Sequence, residues 1–336
     1  WLQFKIPVKE FENAVGGISD FRSIRFMRMF MTGFTQPITV RFGALDLVRG
    51  EWRRYDNSFE FTDNNPADDG TNFDVLSVNI QENAQRVPIP YVTPPGVVRE
   101  QVNQNNTIIS QNEQSLSLRA SGDGLEAGDS RAVFKNVNID MRQFNKLKMF
   151  LHAESLPNVT PELQEDQMSA FIRFGNDFTD NFYEVEIPLK VTTPVTGSGD
   201  PELIWPELNE IDLPTALLTK LKILAMGPSA PPEDDNGIRY ANDFDLDPSL
   251  ANNTSRGKLR IGIKGNPNFG LVRTLMVGIR NNTTLDGVKG EVWFNELRLA
   301  DMSNKGGMAA VLNMDANMAD FATVSATGRM STIGFG

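Results

Sequence analysis

Residues 169–191 read SAFIRFGNDFTDNFYEVEIPLKV. Two short runs rich in Phe, Ile, Tyr and Val, residues that fit a pleated half-buried surface, are separated by Gly, Asn and Asp, which interrupt it. The pattern continues on both sides. Upstream stand SLSLRA (115–120), RAVFKNVNI (131–139) and LKMFLHAE (147–154); downstream stand KLRIGIKG (258–265), VRTLMVGI (272–279) and GEVWFNELRL (290–299). Many short strands with regular punctuation and little helix predict a mainly β protein, an antiparallel β-sandwich of jelly-roll-like character over residues 113–301. One helix is expected, PTALLTKLKILAMG at 214–227, opened by Pro214, closed by Gly227 and covering an edge or end of the sandwich.

An internal repeat extends this reading towards the amino end. Residues 21–49, FRSIRFMRMFMTGFTQPITVRFGALDLVR, align with residues 269–301, so that Arg25 matches Arg273, Phe42 matches Phe294, Leu45 matches Leu297 and Leu47 matches Leu299. The connecting loops differ by four residues. Taken alone, residues 18–33 fit a helical wheel, with Arg22, Arg25 and Arg28 on one side, but the second copy carries Val272, Val277 and Ile279 and reads as strand. Two strands are therefore predicted in each copy, and residues 1–55 become the closing strands of a preceding β-module or strands associated with a barrel. Residues 56–112 are rich in Pro and Asn, as in DNNPADDGTN and VPIPYVTPPG, and predict a linker or strap, since Pro88, Pro90, Pro94 and Pro95 have no backbone N–H to give to a sheet.

The carboxyl end, residues 302–336, has a different alternation. In MAAVLNMDANM, residues 308–318, Met308, Ala310, Leu312, Met314, Ala316 and Met318 share one strand face while Asn313, Asp315 and Asn317 share the other. After a turn near Ala319 and Asp320, Ala322, Val324, Ala326 and Met330 resume the apolar face, with Thr323, Ser325 and Thr327 opposite. Strands of ~10 residues, apolar on one side and polar on the other, have the length and pattern of a transmembrane β-hairpin, and equally of a soluble hairpin with one solvated face. Phe321 at the turn sits where an interfacial ring would be placed.

Composition narrows the chemistry. Among 336 residues, 32 are Lys or Arg and 43 are Asp or Glu, a net charge of −11 that argues against a nucleic-acid partner. There is no cysteine and a single histidine, which removes disulfides, Cys/His zinc sites and most imidazole- or thiol-based nucleophile systems. No run of ~18 apolar residues offers a transmembrane helix, leaving a β-barrel as the only way into a bilayer. The start at Trp1, within the strand-like WLQFKIPV, suggests a fragment whose signal sequence lies upstream.

Each candidate for chemistry has a plainer alternative. Asp243, Asp245 and Asp247 begin like a calcium loop, but Pro248 replaces the required glycine and Thr254 the bidentate glutamate, so the acidic stretch 233–247 reads as a solvated loop. Asp63, Asp68 and Asp69 read the same way. His152 has no sequence partner that would make it a base. Glu184 and Glu186 share a strand face, as a glycosidase pair could, though exposed strands carry such pairs routinely. Gly122 and Gly124 lack the following helix of a phosphate cradle. Trp205, Trp293, Tyr183 and Phe182 could stack on a sugar ring or fill a core. No catalytic, cofactor or metal residues are assigned. A secreted carbohydrate-binding sandwich is the alternative function, and a glycoside hydrolase a third.

The segments ISDFRSIRFMRMFMTGF, ALDLVRGEWRRY, VPIPYVTPPGVVRE, DMRQFNKLKMFLHAES and GEVWFNELRL, together with the terminal GFG, resemble the SprA/Sov family of Bacteroidota along nearly the whole chain. That resemblance implies the outer-membrane translocon of the type IX secretion system, linked to gliding motility, a large β-barrel with soluble β-domains between its strands. It implies a PorV-type shuttle barrel, a plug protein and other secretion subunits as partners, cargo with C-terminal sorting domains, outer-membrane lipid around the wall, domains exposed to the periplasm or cell surface, and no enzymatic residues or cofactors. The chain is too short to close such a barrel alone.

Overall fold

A computed structural model describes residues 6, 13, 27–43, 51–57, 59, 70–99, 101–104, 107–110, 112–194, 199–253, 255–285, 287–303 and 308–332. The chain divides into two units, residues 1–49 and 50–336, considered separately.

In the second unit the alternating runs become strands. They are β1 (Arg53–Tyr55), β2 (Thr71–Asn79), β3 (Gln101–Gln104), β4 (Thr107–Ser110), β5 (Gln114–Leu125), β6 (Ser130–Ile139), β7 (Phe144–Glu154) and β8 (Met168–Gly175). After them come β9 (Phe182–Pro188), β10 (Ile211–Pro214), β11 (Arg239–Asn242), β12 (Arg260–Lys264), β13 (Val272–Asn281), β14 (Val288–Met302), β15 (Ala309–Met318) and β16 (Ala322–Ser331). A seven-stranded sheet has the order β1-β6-β13-β8-β9-β12-β11 and a five-stranded sheet the order β10-β7-β14-β5-β2, with every pairing antiparallel.

Period-two alternation places one apolar row of each sheet against the other. Ile172, Val185, Ile261 and Val277 of the larger sheet share one core with Leu118, Met149, Leu151 and Val292 of the smaller, so the domain is a β-sandwich. Each such side chain, fully withdrawn from water, contributes about 1.5–3 kcal/mol. Among the described residues there are four short or medium α-helices: α1 (Ile80–Asn83), α2 (Pro201–Ile204), α3 (Thr215–Ala225) and α4 (Asp243–Leu246). Helix α3 is the one expected from sequence. Its Leu217, Leu218 and Leu221 enter the same core, and Pro214 stands at its N-cap position.

The sequence reading needs two corrections. Residues 56–112 are not simply a linker or strap, because β2 lies inside them and pairs with β5 along nine residue pairs, from Thr71–Gly122 to Asn79–Gln114. Strand β2 lacks a clean hydrophobic alternation since it is an edge strand, and its flanking breakers drew it into the surrounding loop. The proline-rich part, residues 84–99, does run over the sheet as a strap, and its own Ile89 and Tyr91 are buried against Trp205 and Trp293. In the first unit, residues 27–43 form no strand and are exposed throughout, where two strands were predicted. An alternating pattern fits a sheet but does not supply the neighbouring strand it needs; the rest of that first copy, 21–26 and 44–49, lies outside the described residues.

Candidate functional site

The carboxyl-terminal hairpin has the pairing its alternation demands. In β15 and β16, Ala310 faces Met330, Leu312 faces Gly328, Met314 faces Ala326, Ala316 faces Val324 and Met318 faces Ala322. Between these pairs fall Asn313 with Thr327, Asp315 with Ser325 and Asn317 with Thr323, and, nearer the open end, Val311 with Arg329 and Ala309 with Ser331, so one face is apolar throughout and the other is polar apart from Ala309 and Val311. Each strand has 10 residues, the length of a tilted bilayer crossing. The turn is Ala319-Asp320-Phe321, in which Phe321 N–H donates to the Met318 carbonyl at 3.1 Å. Among the described residues the hairpin forms its own two-stranded sheet, and Leu312, Met314, Met318 and Phe321 are all exposed. Small alanines alternate with Met and Leu, which produces a slim apolar surface of one strand-pair width.

The outer face of the seven-stranded sheet gathers charge. Strand alternation turns Glu184 and Glu186 of β9 away from the core, together with Arg173 of β8, Arg260 of β12 and Arg280 of β13. Arg173 Nε and Nη2 donate to Glu184 Oε2 at 2.9 and 2.6 Å, Arg280 Nη2 donates to Glu184 Oε1 at 3.0 Å, and Tyr240 Oη donates to the same oxygen at 2.7 Å. Glu186 receives Arg280 Nη1 at 2.5 Å, Arg260 Nη1 at 3.2 Å and Ser169 Oγ at 2.6 Å. Burial pushes the Glu184 carboxyl up, but the charges of Arg280 and Arg173 and the hydrogen bonds of Tyr240 and Arg173 outweigh it and hold it at about 2. A general acid must keep its proton near neutral pH, so this ionised glutamate is suited to fixing arginines. A cavity of about 150 Å³ opens beside the network, lined in part by Asp234, Asn236 and Tyr240.

A second network lies on the outer face of the five-stranded sheet, under the strap. Glu291 of β14 stands directly opposite Glu154 of β7, an arrangement unfavourable by itself. Arg86 from the strap ion-pairs with both carboxylates, and Arg119 of β5 donates to Glu291 Oε2 from Nε at 3.0 Å and Nη2 at 2.7 Å. Ser117 Oγ and Trp293 Nε1 complete the shell of Glu291 at 2.8 and 2.9 Å. Burial raises the Glu154 carboxyl while contacts with His152 and Arg86 lower it, and the net direction is downward.

His152 is part of this packing. Its Nδ1 lies 2.8 Å from the Ile204 carbonyl and 3.2 Å from Thr192 Oγ1, and its ring stacks on Trp293 at 4.0 Å. Trp205, Trp293, Tyr183 and Phe182 are all buried, which makes them core aromatics, so these four do not form an exposed platform for a sugar. They do not come together either: Trp205 and Trp293 lie beneath the strap, whereas Tyr183 faces the main core.

The acidic stretch 233–247 lies largely at the surface, with Glu233, Asp235 and Asp245 exposed, Asp234 and Asp247 half-buried, and Asp243 turned inward. Asp243 is buried, pairs with Arg256 Nη2 at 2.6 Å and accepts the Leu259 and Phe244 amides. Asp245 accepts from Asn242 Nδ2 at 2.9 Å, and Asp247 caps the turn that begins at Pro248. Thr254 and the cluster Asp63, Asp68 and Asp69 lie outside the described residues. Gly122 and Gly124 adopt φ of +72° and +86° in β5, and a Cβ on Gly124 would lie 2.6 Å from the Gly287 backbone, so these glycines allow a close strand approach. Among the described residues no group of three or more His, Asp or Glu side chains could hold a metal ion.

Sequence reasoning did not single out Arg86, Arg173 or Arg280. Arg173 and Arg280 share outward parity with Phe171 and Gly278, which is visible in sequence, but their carboxylate partners are set by strand order. No curated protein matches the chain. The family model of the motility related/secretion proteins, SprA_N, spans residues 1–336, and with a mainly β sandwich, an amphipathic carboxyl-terminal hairpin and this full-length match the chain belongs to that family.

Proposed function

We propose that this chain is a non-enzymatic structural part of an outer-membrane, protein-conducting translocon of type IX secretion, through which folded cargo reaches the cell surface, with a further link to gliding motility. Membership of a motility and secretion family supports the general reading. The observation that carries the specific one is the hairpin, whose two 10-residue strands keep a continuous apolar face outside the sandwich core. In this reading the apolar face meets outer-membrane lipid, Asn313, Asp315 and Asn317 meet water, and the sandwich stands in the periplasm or at the cell surface. PorV-type shuttle, plug, other secretion subunits and cargo bearing C-terminal sorting domains are its partners.

The two faces of one strand provide the test. In the full-length protein, Met314→Lys places an ammonium on the lipid face and is expected to cost about 2–4 kcal/mol of membrane assembly at mid-bilayer depth. Asp315→Asn, on the opposite face, should be nearly silent. Outer-membrane insertion and heat-modifiability on gels read both effects. Equal tolerance at the two positions rejects the barrel assignment.

A further inference from the structure

The two aligned stretches occupy very different surroundings. The second forms β13 and β14, the third strand of the larger sheet and the third of the smaller; β13 is paired by β6 and β8, β14 by β7 and β5. These are central strands, hydrogen-bonded on both edges. Their inward rows, Leu275, Val277 and Ile279 in β13 and Val292 and Phe294 in β14, belong to the sandwich core, and Gly290 continues the β14 row. A Cβ on Gly290 would meet the core residues Leu163 and Met168.

Carried back through the alignment, with its four-residue difference in the loop, these six positions become Met27, Met29, Met31, Ile38, Val40 and Phe42. Every one is apolar. The intervening positions Arg28, Thr39 and Arg41 are polar, as expected of an outward row; Phe30 replaces Gly278, so the outer-face packing is not repeated. All six core-type residues are exposed here, from 43% at Val40 to 60% at Phe42. Two rows with the correct parity, in the correct order and spacing, thus lack the sheets that cover their counterparts.

Strand order indicates where those sheets come from. In the second copy the flanking strands β5, β6, β7 and β8 all precede β13 and β14 in the chain. We infer that residues 27–43 are the central strand pair of a second sandwich of the same architecture, its flanking strands contributed by polypeptide N-terminal to these 336 residues. Backbone pairing on four edges and burial of the two apolar rows would hold the segment in place. This inference uses the sandwich alone and is independent of the membrane role of the hairpin.

Amide hydrogen exchange, which reads local opening region by region, tests it on residues 1–336 and on the polypeptide extended upstream by the length of one sandwich. Amides of 27–43 should exchange at least about 100-fold more slowly in the extended protein, while β13 and β14 behave alike in both and serve as internal control. Within the extended protein, Val40→Asp should abolish the added protection and Arg41→Asp should leave it. Equal exchange in the two proteins overturns the inference, and so does greater sensitivity at Arg41 than at Val40. Protection that grows with the concentration of residues 1–336 alone, which would make a second copy the occupant, overturns it as well.

Discussion

Replacing Glu184 by leucine lowers the free energy of unfolding by about 3–5 kcal/mol, because the buried Arg173 and the half-buried Arg280 lose the carboxylate between them. Glu184 is fully buried, and Arg173 and Arg280 both converge on it. Neither guanidinium can shed its charge to escape the low-dielectric surroundings. Arg280 keeps Glu186 and Ser130, and Arg173 keeps the Phe178 carbonyl, so the loss is a destabilised sandwich and not wholesale rearrangement. Urea titration of the purified chain reads the change. A loss below ~1 kcal/mol would show that water or a neighbouring acceptor replaces the carboxylate at little cost.

The same residue sets a pH window. Its folded-state value of about 2 lies below the ordinary 4.5, so its stabilising contribution is fully present above pH 4.5 and disappears as pH falls towards 2. That contribution is on the order of 3 kcal/mol. Unfolding free energy of the native chain should therefore fall on acidification through this range, with Glu154 acting in the same direction. Glu184→Gln removes one of the titrating groups, so the variant starts lower and falls less steeply. A parallel decline in both proteins would assign the acid sensitivity to other carboxylates.

Trp293→Ala has an expected cost of similar size, about 3–5 kcal/mol, for a different reason. The indole is fully buried between the sheet and the strap, stacked on His152 and in contact with Tyr91 and Trp205 at centroid distances of 5.6 and 6.0 Å. Arg86 lies over its ring at 5.3 Å, and its Nε1 serves Glu291. Truncation opens a cavity and removes a donor from a buried carboxylate together. The strap, residues 84–99, should become sensitive to proteases before the sandwich unfolds, since Trp205, whose Nε1 donates to the Val92 carbonyl at 2.8 Å, loses its support. Trp293→Phe should retain most of the packing and lose only the hydrogen bond. Strap cleavage unchanged by Trp293→Ala would show that the Arg86 ion pairs alone hold it.

How far these features could be read in advance depended on the range of the interactions that make them. Strands β5 to β9 and β12 to β14 were legible because each carries its own alternation and punctuation, and helix α3 because Pro214 and Gly227 bracket it. Strand β2 was hidden: TNFDVLSVN sits between breaker-rich stretches and owes its state to nine pairs with β5. Residues 27–43 are the opposite case, a strand-like pattern that forms no strand here, since pairing partners are not encoded in the segment itself. Glu184 and Glu186 were noticed as a same-face pair, but that they sit among Arg173, Arg260 and Arg280 followed only from the order β13-β8-β9-β12. Trp205 and Trp293 were legible as large aromatics and not as buried ones, because the strap that covers them comes from residues more than a hundred positions upstream.

By itself the amino-acid sequence determined the local and periodic properties: strand against helix, which residues share a face, the two-sided hairpin, and the absence of thiol and nearly all imidazole chemistry. Those depend on backbone preference and on neighbours within a few residues. Only the tertiary structure decided which faces are covered and which charges meet. Burial and ion pairing arise between segments distant in the chain, where strand order brings Arg86 between Glu154 and Glu291 and closes the strap over Trp293.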